Sequence, residues 1–241
     1  MIQDIKGVFH FLMVNIRHPF IIFWMIVIAF YIISLTLTFI LGAEGVLFQA
    51  SFPIYIFCAV VGLWLVKNTV PYLIKLGVTR KLIFLSYGLF FILLAIVQSV
   101  LANLLMRFTT LTGKTAIGGH VFFESGSTDA SFAFYHLSQF LPKDIFLTQV
   151  IVDVIVCFAG LSLTFLIGLI FYRYGLVGGF SFLATLFLLF IGSIAKGYFV
   201  DLVKYIVNNY TLTIYFALFG CSVVIYAISY FFLRRLTIHS A

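Results

Sequence analysis

Asp153 is the one ionisable residue well inside an apolar run, between Ile145 and Tyr172. A carboxyl group at the centre of a membrane helix costs roughly 2.5–3.5 kcal/mol, and a cost of that size calls for partners. Gln149 lies one helical turn earlier, and Gln98 and Asn103 occupy another apolar run, so the spacing predicts a polar cluster between helices. Such a cluster is either a substrate or proton site or a hydrogen-bonded packing contact.

The remaining candidates for chemistry are weaker. Gly113-Lys114-Thr115 matches the end of a phosphate loop, but Phe108 stands where the first glycine of G-x-x-x-x-G-K-[ST] belongs. The chain therefore carries no nucleotide site of its own. All five histidines, His10, His18, His120, His136 and His239, fall outside the long apolar runs, which excludes paired haem ligands within a membrane. His120, Glu124 and His136 are scattered donors in a polar loop and read as solvated side chains, so no metal is expected. Gly179-Phe180-Ser181 is half of a hydrolase elbow without an intramembrane histidine to serve as its base. Cys58, Cys157 and Cys221 all lie in apolar runs, where a thiol behaves as a small hydrophobe.

The elements that must position these residues are membrane helices. Hydrophobic residues make up 64% of the chain and charged ones 9%, with a mean hydropathy of +1.23; soluble domains carry about 25% charged residues. Five uncharged runs, about Phe20–Leu41, Val46–Val66, Leu82–Met106, Tyr174–Ala195 and Leu212–Leu233, together with Ile145–Tyr172, are each long enough to cross roughly 30 Å of hydrocarbon as a helix. The expected fold is all-α, a single membrane domain of six spans over residues 20–241 behind an interfacial helix over residues 1–19. The first run is longer than a signal-peptide core and has no small-x-small site before Gly42, so it reads as a retained signal anchor.

The net charge of +7 does not form the stripe that nucleic acid requires. It follows membrane topology instead. Lys6, Arg17, Lys67, Lys75, Arg80, Lys81, Arg173, Arg234 and Arg235 fall on one side of the six runs. Arg107, Lys114, Lys143, Lys196 and Lys204 share the other side with Glu44, Glu124, Asp129, Asp144 and Asp201. The excess of Lys and Arg belongs on the cytoplasmic face, so both termini are expected there, in a multi-pass protein of the cell membrane.

Three connecting segments are informative. In residues 1–19, Ile5, Val8, Phe9, Leu12 and Ile16 recur at helical spacing, with Asp4, Lys6, His10 and Arg17 between them. This predicts an amphipathic helix in the headgroup layer, ended by His18-Pro19. Between the second and third runs, Asn68 or Thr69 can cap a short helix with Pro71 in its first turn, an apolar face of Leu73, Ile74 and Leu76, and Gly77 as its stop. Thr79-Arg80-Lys81 then restarts a helix. Such a segment is either a docking element for a cytoplasmic partner or a plain basic loop. The segment 107–144 is expected as an outer loop, and residues 196–211 as a short amphipathic helix returning to the membrane. Gly160, Thr164 and Gly168 form a small-residue face for close helix packing, and Gly175 and Gly179 serve either the same purpose or the turn after Arg173.

The order of these elements, together with Leu76-Gly77-Val78-Thr79-Arg80-Lys81, resembles the ABC-2-type permease family, the membrane subunits of bacterial ABC exporters. Members often carry a Leu-Gly-Val-Thr/Ser-Arg-basic run at the start of the third span. The resemblance implies a coupling helix over Asn68–Gly77, in which Asn68, Pro71, Leu73, Lys75, Leu76 and Gly77, followed by Arg80 and Lys81, meet a separate ATP-binding subunit. That subunit would hold the ATP and Mg; this chain would hold no cofactor and have no ATPase site. A second permease chain, identical or paralogous, is implied as well. Spans rich in Phe, Tyr, Ile and Leu suit a hydrophobic or amphipathic cargo such as a peptide antibiotic or drug-like compound. Two rivals stand beside this expectation: a proton-coupled secondary transporter using Asp153, and a non-transporting membrane sensor or assembly protein.

Overall fold

The computed structural model describes residues 2–41, 51–116, 146–198 and 212–234. They form five helices, α1 (Ile2–Leu41), α2 (Ser51–Lys75), α3 (Arg80–Ala116), α4 (Phe146–Ala195) and α5 (Leu212–Arg234). All five are long and apolar enough to cross a membrane, which makes the chain a helical, multi-pass membrane protein. The many exposed Leu, Ile, Val and Phe side chains around the bundle suit a hydrocarbon solvent.

The first part of α4 is the centre of the bundle, packed against α2, α3 and α5, while α1 lies along α3 and α2. Lipid is as apolar as leucine, so close packing has to supply cohesion. A Cβ added to Gly62 would meet the Thr164 hydroxyl at 2.1 Å, and one added to Gly168 would meet Val66 at 3.0 Å. Only glycine lets α2 and α4 approach so closely. Thr164 and Gly168 thus face α2 as the small-residue spacing predicts, whereas Gly160 has open space before it. A knot of rings fills the middle, with Tyr87 and Phe165 5.1 Å apart, Phe91 and Phe165 5.3 Å apart, and Phe84 stacked on Tyr226 at 4.5 Å. Some buried hydroxyls turn back on their own helices, Thr164 donating to the Gly160 carbonyl and Ser229 to that of Ile225, while Tyr226 of α5 donates to the Phe84 carbonyl of α3.

α4 turns sharply at Gly175, whose φ of 72° lies in the left-handed region. Phe171 and Phe180 have ring centroids 5.5 Å apart, whereas nine residues of straight helix would separate them by about 13 Å. The glycine after Arg173 therefore serves the turn. Beyond it, Gly179 is the only buried residue of the second leg among those described.

Three expectations need correction. The helix does not end at His18-Pro19: α1 runs through Pro19. One proline removes a single backbone donor, and the continued apolar sequence on both sides keeps the helix intact. Nor is there a separate short helix over 68–77. α2 runs unbroken through Pro71 to Lys75, because the apolar face Val66, Val70 and Leu73 continues without a change of period into the core. The outer segment is helical at its beginning, since α3 extends past Arg107 to Ala116 with no proline to stop it. Residues 42–50, 117–145 and 199–211 lie outside those described, and with them His120, Glu124, His136, most of the outer loop and most of the segment expected to return to the membrane.

Candidate functional sites

Two places gather polar residues, at opposite ends of the bundle. The first is built on Asp153, which is 1% exposed. It sits two turns into α4, and antiparallel packing brings the start of α2 and the later part of α3 to the same level. Tyr55 Oη donates to Asp153 Oδ1 at 2.6 Å and Asn103 Nδ2 to Oδ2 at 2.5 Å. The Asn103 amide also donates to the Ser99 carbonyl at 2.9 Å, which locks it in place. Each carboxyl oxygen thus accepts from a different helix, so the group ties α2, α3 and α4 together. Tyr215 of α5 packs against Val152 and Ile155 beside it.

Of the residues expected around Asp153, Asn103 joins it directly. Gln98 is buried but pairs elsewhere, accepting from Trp24 Nε1 at 3.1 Å, and so ties α1 to α3. Gln149 is half-buried, and no hydrogen bond links it to Asp153. The direct partner that the sequence did not single out is Tyr55, because a tyrosine inside an aromatic-rich apolar run carries no periodic signal of its own. Among the described residues, Asn103 Oδ1 is buried without a hydrogen-bond partner, which leaves the cluster a spare acceptor.

The second place is the turn between α2 and α3. Gly77, at φ 77°, closes α2 with paired bonds, Val78 N–H to the Leu73 carbonyl at 3.1 Å and Gly77 N–H to that of Ile74 at 3.0 Å. This is the glycine-centred Schellman closure of a helix. Thr79 takes the N-cap position, its carbonyl accepting from Ile83 at 3.0 Å, so both the stop and the restart occur where the sequence puts them.

Basic residues collect at this end. Arg80 donates to the Arg234 carbonyl, and Arg173 lies 5.9 Å over the Phe232 ring. Phe11 stacks on Tyr72 at 5.1 Å, bringing the start of α1 here too. Arg107 lies at the other end, 4.6 Å over the Phe146 ring.

The expected docking residues separate by burial. Leu73 is 2% exposed and belongs to the core, so it offers no surface to a partner, contrary to expectation. Leu76 is 61% exposed and Tyr72 is 49%. Asn68, Lys75, Gly77, Arg80 and Lys81 are exposed too, and Pro71 is half-buried. The helix period explains the division, because Leu73 falls in line with Val66 and Val70 whereas Leu76 lies past the last buried turn.

No protein-family model, curated protein or solved structure matches the chain.

Proposed function

We propose that this chain is the permease subunit of an ATP-driven exporter of the ABC-2 type. The observation that carries the proposal is the turn from α2 to α3. A rigid, doubly bonded helix stop at Gly77 presents Tyr72, Lys75, Leu76, Arg80 and Lys81 together at the basic end. Leu73 anchors the same turn in the core, so a push on the exposed residues is delivered into the bundle. Transmission of that kind is what a coupling element must do. In this proposal α4 supplies two spans, its legs 146–174 and 176–195 each reaching about 30 Å or more, which brings the total to six. The basic end then faces the cytoplasm by the positive-inside rule.

A separate ATP-binding subunit would sit on Leu76 and its neighbours. A second permease chain would complete the pathway, and the cargo would be hydrophobic or amphipathic, a peptide antibiotic or drug-like compound. The test is to purify the tagged chain from its native membrane in mild detergent and look for a stoichiometric subunit with a phosphate loop. Such a subunit, with an ATPase rate that changes in Leu76→Asp, supports the proposal. Purification of the chain alone from several mild detergents would overturn it.

The doubly bonded Asp153 favours a second proposal, a proton-coupled transporter working without an ATPase. That one requires substrate flux to follow a proton gradient and to collapse in Asp153→Asn. Retention of ATP-driven export in Asp153→Asn would decide for the first.

A further inference from the structure

The N-terminal third of α1 has two faces with different tasks. Val8, Leu12 and Ile16 are buried in the bundle. Lys6, His10 and Arg17 are exposed, and at 100° per residue they fall within about 40° of one another around the helix, forming one basic line. Asp4 is the only acid before Glu44, and Arg17 makes no ion pair among the described residues.

This line borders a groove between α1 and α3. The groove has a volume of about 350 Å³ and is lined by His10, Met13, Arg17 and Phe20 on one side and by Phe90 and Val97, with the residues between, on the other. Its walls are apolar apart from His10 and Arg17. Just beyond Phe20 and Val97, Trp24 and Gln98 are hydrogen-bonded across from helix to helix. Its His10–Phe90 end lies toward the basic end of the bundle, where Phe11 meets Tyr72. Side chains on a helix lean toward its N-terminus, so Arg17 leans toward His10 and away from Trp24.

We infer that this groove holds one anionic phospholipid, with its phosphate between Arg17 and His10, Lys6 adding positive charge one turn beyond, and one acyl chain running down toward the Trp24–Gln98 bond. Charge complementarity selects the headgroup, and the apolar walls select the chain. A zwitterionic lipid has the same chain but no net charge for the basic line to attract. An acidic peptide would leave the apolar floor against polar backbone. Such a lipid would add to the packing that already holds α1 on α3.

The experiment is native mass spectrometry of the full chain released from nanodiscs of equal parts dioleoyl phosphatidylglycerol and dioleoyl phosphatidylcholine. Each basic side chain near an anionic surface is worth about fivefold in affinity. The expected result is a retained lipid that is phosphatidylglycerol over phosphatidylcholine by about fivefold or more. Arg17→Gln should bring the preference down by about fivefold. Val97→Trp, which fills the groove and leaves the charges, should remove the retained lipid of either kind. If Arg17→Gln does not yield folded protein, Lys6→Gln with His10→Gln replaces it, with the same direction expected. Equal retention of the two lipids by the wild type overturns the inference, as does unchanged retention in Val97→Trp or an unchanged preference in the charge variants. None of these readouts involves the ATP-binding subunit.

Discussion

The two ends of this bundle handle polar residues in opposite ways. At the Asp153 end, polar groups are drawn from α1, α2, α3 and α4 into the interior and bonded to one another across helices. At the basic end the charged side chains stand on the surface, and the interior beneath them is apolar and aromatic but for hydroxyls such as the Thr69–Tyr87 pair. The difference shows that burial separates a polar group that holds the fold together from one that is available to a partner. The same separation divides Leu73 from Leu76, two leucines within one turn.

That pair supplies the largest expected effect. Leu73→Asp puts a charge into the packed core and should cost about 4 kcal/mol or more, seen as loss of the monodisperse peak in fluorescence-detected size exclusion. Leu76→Asp should stay within about 0.5 kcal/mol of wild type and, in the proposed complex, change only the ATPase rate. Equal destabilisation by both would erase the distinction between the two faces.

The Asp153 end should respond in steps. Asp153→Leu leaves the Tyr55 hydroxyl and the Asn103 amide without their acceptor, at about 1–3 kcal/mol for each, measurable by thermal unfolding in detergent. Asp153→Asn should cost less, about 1 kcal/mol, because the new side chain keeps a carbonyl oxygen that accepts from the Asn103 amide, and its nitrogen can donate to the Tyr55 oxygen. If the two variants lost the same stability, the carboxyl group would not be the tie between helices.

A packing control sharpens the contrast between interior and surface. Gly62→Ala, whose Cβ would press on Thr164, should cost about 1–3 kcal/mol. Gly160→Ala, which meets nothing within 4 Å, should be neutral or slightly stabilising. The smallest effect belongs to Lys81→Glu, an exposed change expected to leave the unfolding midpoint nearly unmoved.

Much of the frame was legible in the sequence. Long apolar runs announce helices because every backbone group in hydrocarbon must be bonded within its own segment. Local chemistry was legible as well: Gly77 stops α2 and Thr79 precedes α3 because positive φ and N-cap geometry are properties of single residues and their nearest neighbours. Prolines were misread for a related reason. Pro19 and Pro71 remove local bonds, and the sequence does not reveal that packing on both sides of each one carries the helix through.

What the sequence by itself determined, then, is a helical membrane chain, the sites where α2 stops and α3 begins, and the need for partners at Asp153. Only the tertiary structure decided which partners those are. Tyr55 reaches Asp153 from 98 residues away, and Gln98 turns instead to Trp24. It also decided that Leu73 faces inward while Leu76 faces out. Apolar periodicity is nearly silent when almost every position is apolar, so in this chain the direction a side chain faces is set by which helix packs against it.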